Sequence, residues 1–523
     1  MSVAPAVATL SPGIDGVPVR VRLNRVFGRL LKLCYYGVSR VLLFATSMFL
    51  CSLLVPAQEL PAGTALEARL SAATGSHVSR LGDPIEATVI APVSVRGQVL
   101  VPQGSRLIGS VTNVTAIGFG IKHLTASISY SFHTLQLPGG AAIPINTQLI
   151  EVEGAKEHVD ALNTVHGIHP IMSLSSTVSL YAFPLLLLNP TIGVPVWAVK
   201  SLIAPPANPE IRFPAGTELM LQLTADVSLP PRSQDFFVPA KPFSRDDLAE
   251  MEHTLKNSAQ RAYMGSHPSD IVNVVLVGSR SQVDRAFQAS GWSQAQRKSP
   301  MSLYRMYHAL TERFGYPKAP MNTLTLNGVP STFVRQKSLD TVQKRHHVRL
   351  WQDTRGANIW LGTAAEDDGF RFKLTHWTHS TQPDIDGERA KVVNDLAFTG
   401  CIDAAGILAR APADIVQDPR AEHPIVTDGN VALIRLDDCL HPNVMPGVET
   451  SDWDQRGRLV RTVTVLRDDL LRSNILFTSY NTLRLLAKHK TEPVTMRSKR
   501  VNAAVRGLEW LTPETTQPSN PGQ

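Results

Sequence analysis

The chain of 523 residues lacks the short motifs that identify many enzyme classes. It has no GxSxG nucleophile elbow, no Walker loop and no GxGxxG fingerprint. These absences exclude the standard signatures of an α/β-hydrolase, a P-loop enzyme and a Rossmann dinucleotide-binding protein. There is also no CxxC pair, so the sequence does not predict a structural zinc site of the finger type.

Cysteine is scarce, with only four residues in the chain. Cys34 and Cys51 lie in the hydrophobic N-terminal region, which leaves Cys401 and Cys439 for the folded part. A disulfide between these two in an oxidising compartment and two separate buried thiols fit the sequence equally well. The sequence leaves both alternatives open.

A strong charge of one sign is also lacking. The chain is 43% hydrophobic and 18% charged, and its net charge of +7 is spread along its length. This composition is typical of a folded protein, and the length of 523 residues predicts several domains. It argues against a nucleic-acid partner, because nucleic-acid binding usually needs a concentrated basic surface.

The N-terminus predicts export. Arginine and lysine residues between Arg20 and Arg40 precede the apolar run 41–56, and Val55 and Ala57 suit cleavage of a signal peptide after Ala57. The alternative is an uncleaved membrane anchor, although the run is short for a full span. Both alternatives place the rest of the chain at the periplasmic face of the membrane or in the cell envelope of a bacterium.

Residues 58–235 predict a β-rich domain, because apolar and polar residues alternate along several stretches. The related phrases PAGTAL, PQGSRL and PAGTEL each predict a tight turn that opens a strand. We expect a barrel or a sandwich. The domain carries a bare apolar insertion at 161–199, which contains no Asp, Glu, Lys or Arg. Membrane contact and a buried or oligomeric loop are both consistent with this insertion.

Residues 236–440 predict a separate α+β domain of hairpins and helices. One helix is expected to begin after Ser244 and another to end at Gly400, and Asn327 with Gly328 predicts a hairpin turn. Residues 441–523 are predicted to be a mixed basic tail with a disordered end. The predicted fold class is therefore α+β, with an N-terminal β-rich barrel or sandwich domain ahead of the α+β domain.

The stretch KRHHVRLWQD is the richest in chemistry-bearing side chains. Because side chains alternate between the faces of a strand, Arg345, His347, Arg349 and Trp351 share one face, and His346 lies on the other. We expect the first face to be solvated or to bind an anion, since arginine suits phosphate and carboxylate. The face of His346 is expected to be half-buried.

Three interpretations of this stretch remain open. In the first, Arg345 and Arg349 form structural ion pairs with Asp384 or Asp386, one of which caps a helix. In the second, His347 joins residues further along the chain in a divalent metal site. In the third, the same histidine and arginines bind an anion or hydrolyse a phosphoester without a metal.

Several motifs of this domain together resemble the LssY C-terminal domain family. They are SDIVNVVLVGSRSQVDRAFQASGW, RHHVRLW, IWLGTAAEDDG and TH…PDIDGERAKVVNDL, and they extend over roughly residues 239–436. Members of that family are bacterial envelope proteins, and some relatives carry membrane modules similar to DedA and phosphatidic-acid phosphatase proteins. The resemblance implies an envelope location and a connection with lipid or phosphate chemistry.

The resemblance also implies a set of motif residues. They are Arg345, His347, Arg349, Trp351, His379, Asp386, Glu388 and Arg389. His376 competes with His379 for one family position, because this sequence reads THWTHSTQ. The phosphatase and DedA modules are missing from the chain. The β-rich domain lies outside the resemblance and is loosely similar to β-domains of secretion-channel subunits.

These observations lead to two functional hypotheses. The first is an exported, membrane-associated envelope protein that binds an anionic ligand or a protein partner through its LssY C-terminal-like domain, without a cofactor. The expected partners are a membrane or envelope protein, or an anionic lipid or phosphate. The alternative is a hydrolase of a phosphoester or lipid-related substrate that uses a divalent metal ion. The residues for these roles are His347, His379, Asp386 and Glu388 for catalysis, Arg345, Arg349 and Arg389 for anion binding, and His347, His379 and Asp386 for the metal.

Overall fold

The computed structural model describes residues 58–95, 98–117, 125–140, 142–168, 184–203, 210–230, 240–312, 315–337, 344–353, 358–373, 376–410 and 425–440, together with residues 178, 182, 339, 342, 442 and 508. The predicted export segment lies outside the described residues, as does the predicted tail apart from residues 442 and 508. Both therefore stay predictions.

The N-terminal region consists almost entirely of strands. They are β1 (Gln58–Leu60), β2 (Ala65–Leu70), β3 (Thr74–Gly75), β4 (Pro84–Val89), β5 (Val93–Val95), β6 (Gln98–Val101), β7 (Arg106–Thr115), β8 (Ser127–Gln136), β9 (Ala142–Pro144), β10 (Thr147–Val152), β11 (His158–Val159), β12 (Thr164–His166), β13 (Arg212–Phe213), β14 (Glu218–Leu223) and β15 (Val227–Leu229). One helix, α1 (Pro190–Ile203), lies between β12 and β13.

Nine of these strands form one antiparallel sheet with the order β10-β14-β2-β4-β7-β8-β12-β11, and β9 pairs with β8. Strand β10, at one end of this order, also approaches β8 and β11 near the other end, so the sheet is a nearly closed barrel. The inward side chains form one apolar core, which includes Leu66, Leu107 and Phe132. The predicted β-rich domain is confirmed in its barrel form.

The recurring PxGxxL phrase forms the same tight turn at each of its three positions. The glycines Gly63, Gly104 and Gly216 have φ angles of 89°, 82° and 87°. In each turn the residue after the glycine donates its backbone N–H to the carbonyl of the proline, at 3.1 to 3.3 Å. A left-handed φ at the third turn position favours glycine because it lacks a Cβ atom. The predicted turns are confirmed.

The C-terminal region mixes helices and strands, as predicted. Its helices are α2 (Arg245–Lys256), α3 (Arg280–Ala289), α4 (Pro300–Glu312) and α5 (Ile385–Thr399). Its strands are β16 (Arg261–Met264), β17 (His267–Ile271), β18 (Val274–Val277), β19 (Ser293–Gln294), β20 (Thr325–Leu326), β21 (Val329–Pro330), β22 (Phe333–Lys337), β23 (Lys344–Gln352), β24 (Ile359–Lys373), β25 (His376–Thr381), β26 (Ile402–Ala409) and β27 (Asn430–Leu436).

The main sheet of this region has the order β19-β22-β23-β24-β18-β27-β26, and β25 pairs with β24. Neighbouring strands are antiparallel except β18 and β27, which are parallel. A smaller sheet has the order β17-β16-β20-β21. The local signals at the ends of the helices are confirmed: Ser244 caps α2, Asp384 caps α5, and Gly400 ends α5 with a φ of 74°.

Both faces of the main sheet are covered. On one face, Val348 of β23 packs in a core with Phe287 of α3 and Val392 of α5. On the other face, Trp351 of β23 packs in a core with Met251 of α2 and with residues of β20. Both faces of strand β23 are therefore covered by other elements, so most side chains of the KRHHVRLWQD stretch are buried.

A disulfide joins Cys401, just before β26, to Cys439, just after β27, with their Cα atoms 4.7 Å apart. The two strands it flanks pair along their length. Of the two alternatives that the sequence left open, the structure shows the disulfide.

A buried group of charged side chains connects the barrel sheet to the α+β region. Glu218 of β14 pairs with Lys337 of β22 at 2.5 Å, with Lys391 of α5 at 2.6 Å and with Arg69 of β2. None of these four side chains is more than 8% exposed. Burial alone would raise the pKa of Glu218, but the three surrounding cations hold it well below its usual range.

Two further carboxylates complete this charge network. Lys391 contacts Glu67 of β2 at 2.6 Å, and Lys337 contacts Asp395 of α5 at 2.9 Å. Asp395 also accepts a hydrogen bond from the indole Nε1 of Trp292 at 2.8 Å. The three cations Arg69, Lys337 and Lys391 thus face the three carboxylates Glu67, Glu218 and Asp395.

We expect Glu218→Gln to lower the free energy of unfolding by about 3–5 kcal/mol, because it removes the carboxylate shared by three buried cations. The measurement is denaturant unfolding of the full chain at neutral pH. The matched control is Glu86→Gln on the same sheet. Glu86 pairs with Arg106 at 2.7 Å, with side chains 43% and 51% exposed, so its loss should cost at most about 1 kcal/mol. Equal effects of the two substitutions would contradict the role of the network.

Candidate functional site

Strand β23 presents titratable side chains on both of its buried faces. Arg345, His347 and Arg349 are 4%, 2% and 6% exposed, and His346 on the opposite face is 5% exposed. Of the two alternatives for the face of Arg345, His347 and Arg349, the one in which it is solvated is therefore wrong. The sequence pattern could not show this burial, because a second layer of structure covers the cationic face.

The cationic face of β23 meets two aspartates. Arg345 donates to Asp367 of β24 at 2.9 Å, and Arg349 forms an ion pair with Asp270 of β17. His347 lies between them, with Nε2 3.6 Å from Asp270 and Nδ1 3.8 Å from Asp367. Within the described part of the chain, neither ring nitrogen of His347 has a hydrogen-bond partner.

Asp270 is held in its ionised form. Burial alone would raise the pKa of this carboxyl group, but the Arg349 guanidinium and the His347 imidazole hold it well below its usual range. The arginines of this face are therefore paired with internal carboxylates. Their partners are Asp367 and Asp270, so the expected pairing with Asp384 or Asp386 is wrong.

The two other aspartates belong to the start of α5. The carboxylate of Asp384 accepts hydrogen bonds from the backbone N–H groups of Asp386 and Gly387, both at 3.1 Å. Asp386 accepts from the Thr427 hydroxyl at 2.9 Å and from the Asp428 backbone N–H at 2.6 Å. Both carboxylates are thus used at the beginning of the helix, on the face of the sheet that α5 covers.

Arg389 connects the same end of α5, through hydrogen bonds, to the beginning of β27 and the residues just before it. Its guanidinium donates to both carboxylate oxygens of Asp428 at 2.8 Å, to Asp386 at 2.9 Å and to the Asn430 carbonyl at 2.7 Å. An external anion at Arg389 would have to compete with these carboxylates. Anion binding by Arg345, Arg349 and Arg389 stays a prediction.

The opposite face of β23 places His346 among glutamates. Its Nδ1 lies 2.9 and 3.0 Å from the two oxygens of Glu388, in the first turn of α5. Its Nε2 lies 3.4 Å from Glu153, which directly follows β10 of the barrel sheet. Glu366 of β24 stands opposite His346 in the strand register.

These groups perturb one another strongly. Burial alone would lower the pKa of His346, but the carboxylates of Glu388 and Glu153 hold it well above its usual range. Burial is the main cause that raises the pKa of Glu366 to about 8. Three carboxylates around one imidazole thus distinguish this cluster from the network around Glu218, in which three cations face three carboxylates.

Sequence reasoning missed His346, Glu153 and Glu366. The available signal was a histidine on a strand face that is otherwise apolar, since such a side chain needs a polar partner when buried. Glu153 carried no local signal at all, because it comes from the barrel sheet and reaches His346 only through the packing of the two regions.

The structure separates the residues that the sequence grouped together. His347 faces Asp270 and Asp367, whereas Glu388 contacts His346 on the other face of β23. His379 lies on β25, with its backbone opposite Phe370, and its side chain lies outside the described part. The catalytic and metal roles of His347, His379, Asp386 and Glu388 stay predictions.

Two groups of side chains among the described residues have donor atoms close enough for one metal ion. One contains Cys401 and Cys439, whose sulfur atoms form the disulfide. The other is Glu153, His346 and Glu366, whose donor atoms all lie within 4.8 Å of one another.

The match with a known family covers both β23 and α5. Residues 255–431 match the LssY C-terminus family model. The resemblance seen in the sequence is thereby confirmed over this LssY C-terminus segment. His346, Glu153, Glu366 and Glu388 are called the His346 cluster, and all of them except Glu153 lie within this segment.

One solved structure gives a weaker likeness. It is ComB10 of the Com type IV secretion system of Helicobacter pylori, which is 16% identical and matches 34% of this chain and 94% of its own, with a TM-score of 0.20. A TM-score this low does not establish a common fold. No curated protein sequence matches the chain.

Within the LssY C-terminus segment, we expect Asp270→Asn to lower the free energy of unfolding at pH 7 by about 3–5 kcal/mol, because it leaves the buried Arg349 without its carboxylate. The folded pKa of Asp270 lies below the unfolded value of about 3.9. Its stabilising contribution is therefore complete well above that pH, begins to decline below about 4 and is lost as the pH falls through the lower pKa of the folded state.

The check is denaturant unfolding at several pH values from neutral to acid. The difference in the free energy of unfolding between wild type and Asp270→Asn should become smaller as the solution becomes acidic. Asp403→Asn is the control, since Asp403 pairs at 3.1 Å with Lys241 and their side chains are 38% and 80% exposed. Its effect should stay within about 1 kcal/mol. If this difference in the free energy of unfolding does not change with pH, the ionised carboxylate of Asp270 is not the cause of the stabilisation.

Proposed function

We propose that this chain is an exported envelope protein that associates with a membrane through α1 and the residues just before it. The observation that carries the proposal is the exposure of this segment. Leu187 and Leu188 are 68% and 84% exposed, and Ile192 and Val194 of α1 are 54% and 56% exposed. Exposed apolar surface of this extent calls for an apolar partner.

The distribution of the exposed residues favours lipid over a protein partner. Successive residues of a helix are rotated by about 100°. Ile192, Val194 and Val199 are all more than half exposed. Ile192 and Val199 lie on one side of α1, seven residues apart, and Val194 points to the opposite side. A helix that docks on a protein usually has one apolar face and one polar face, whereas a helix that is apolar all round suits a hydrocarbon environment.

The length of α1 suits contact with one leaflet. Its 14 residues extend over about 21 Å, and the hydrocarbon core of a bilayer is about 30 Å thick. Among the residues that the structure describes, no helix combines the length and the apolar character needed to cross a membrane. The proposed mode is therefore insertion into the membrane surface.

Two observations support the export part of the proposal. The N-terminal sequence has the basic and apolar pattern of an export segment. The disulfide between Cys401 and Cys439 is of a kind that persists in oxidising compartments and is rare in the cytosol. The envelope location implied by the resemblance to the LssY C-terminal domain agrees with both.

The geometry gives more support to membrane association than to anion binding at β23 or to hydrolysis. An anionic ligand at Arg345 or Arg349 would compete with the internal aspartates. A hydrolase built on His347 would need its partner Glu388 on the same face of β23, and Glu388 contacts His346 instead. Phosphoester hydrolysis and anion binding remain the alternatives.

Depth-dependent quenching tests the proposed lipid contact. A fluorophore is attached at Leu188→Cys in the full chain, after Cys34 and Cys51 are replaced by serine, and the protein is reconstituted with phosphatidylethanolamine–phosphatidylglycerol vesicles. We expect brominated acyl chains to quench this fluorophore strongly, because residue 188 would lie in the hydrocarbon.

The matched control is Leu162→Cys, because Leu162 is also 84% exposed but lies in the turn between β11 and β12. Its fluorophore should stay in water and be quenched little. If the two positions are quenched equally, α1 and its flanking residues do not mediate a specific lipid contact. A fluorophore at residue 188 that is shielded from water but is not quenched by the brominated acyl chains would indicate a protein partner.

The redox state of the cysteines tests export. In cells that produce the full chain, Cys401 and Cys439 should resist alkylation until a reductant is added, because the exported protein would carry the disulfide. Mass spectrometry of the peptides, with and without reduction, makes the comparison. Rapid alkylation of both thiols before reduction would contradict export.

A further inference from the structure

His346 is held by glutamates that come from both regions of the fold. Glu153 follows β10 of the barrel sheet, Glu366 lies on β24 and Glu388 lies in the first turn of α5. The side chain of His346 is only 6% exposed, and those of Glu153 and Glu388 are 15% and 8% exposed. An imidazole and three carboxylates thus share one nearly enclosed place.

The two nitrogens of the His346 ring have different surroundings. Nδ1 lies 2.9 and 3.0 Å from the oxygens of Glu388, close enough to donate a hydrogen bond. Nε2 points the other way, 3.4 Å from an oxygen of Glu153. A carboxylate that accepts from one ring nitrogen orients a histidine so that the other nitrogen can bind a metal.

The donor atoms of Glu153, His346 and Glu366 lie within 4.8 Å of one another. Ligand atoms about 2.1 Å from a single metal ion lie roughly 3–4 Å apart, so small side-chain rotations would bring the three atoms to bonding distance. We propose that Glu153, His346 and Glu366 bind a divalent transition-metal ion, and that Glu388 is the positioning residue that orients the imidazole.

The balance of charge supports this proposal. The nearby network around Glu218 matches three cations with three carboxylates, so it has no need of a further cation. In the His346 cluster three carboxylates surround one imidazole, and the neighbouring cations Lys391 and Lys344 already pair with Glu218 and Glu151 outside the cluster. A divalent ion would supply further positive charge at a place where burial makes carboxylates without a close cation costly.

The ligand chemistry indicates the class of metal. One imidazole with carboxylates suits Zn²⁺, Mn²⁺ or Fe²⁺, whereas Ca²⁺ and Mg²⁺ favour sites made of oxygen atoms alone. Because one ligand comes from the barrel sheet and two come from the LssY C-terminus segment, the bound ion would also join the two regions. This role is independent of lipid contact by α1.

Metal binding by the full chain tests the proposal. The protein is freed of metal with a chelator and dialysed separately against Zn²⁺ and Mn²⁺, and bound metal is counted by mass spectrometry. Competition with a chromogenic chelator gives the affinity. We expect about one ion per chain in the wild type, and an affinity at least about tenfold weaker in Glu153→Gln.

Glu151→Gln is the matched control, because Glu151 lies two residues away, is 16% exposed where Glu153 is 15% exposed, and pairs with Lys344 at 3.6 Å. It should bind metal like the wild type. Circular dichroism confirms folding of each variant, and Glu366→Gln replaces Glu153→Gln if the latter does not fold. A wild type without metal, or equal binding by wild type and Glu153→Gln, overturns the site. Equal losses in Glu151→Gln and Glu153→Gln overturn it as well.

The positioning role of Glu388 has its own readout. Glu388→Gln should weaken metal affinity about 10- to 100-fold, as expected when the carboxylate behind a ligating histidine is lost. Glu388→Asp retains a carboxylate and should recover part of that affinity. If Glu388→Gln and Glu388→Asp bind metal equally, the carboxylate does not position His346.

Discussion

The buried carboxylate of Glu218 is the point on which the two halves of the structure depend. Arg69 of the barrel sheet and Lys337 and Lys391 of the α+β region all contact it, out of contact with water. Each of these charges would be costly if it were buried alone, so the network is satisfied only when both regions are assembled. Well-packed apolar residues could stabilise such a contact equally well, whereas removal of one charged partner alone leaves buried charge without a counter-charge.

Strand β23 uses the two faces of a pleated strand for two different arrangements. One face carries arginines that are neutralised by Asp367 and Asp270, with His347 between them. The other face carries His346, which Glu153, Glu366 and Glu388 surround. In the first arrangement each arginine has an internal carboxylate partner. The second arrangement has the composition of the cation site proposed above.

Buried charge and exposed apolar surface occur together in this molecule. Paired charged side chains lie buried in the contact between the two regions, and the helix α1 exposes apolar residues at the surface. The same physical rule accounts for both, since buried charge needs opposite charge and exposed apolar surface needs an apolar medium. The envelope membrane supplies such a medium in the proposed function.

The sequence by itself determined the features that depend on neighbours along the chain. The proline–glycine turns, the cap at Ser244 and the end of α5 at Gly400 were all predictable, because a few consecutive residues fix their backbone angles and hydrogen bonds. Alternation along β23 also gave the correct division of its side chains between two faces. The tertiary structure alone decided which carboxylate each cation meets: Arg349 pairs with Asp270, 79 residues away, and His346 reaches Glu153 in another sheet. A strand pattern records which residues share a face, whereas burial and charge pairing depend on the layer that folds against that face.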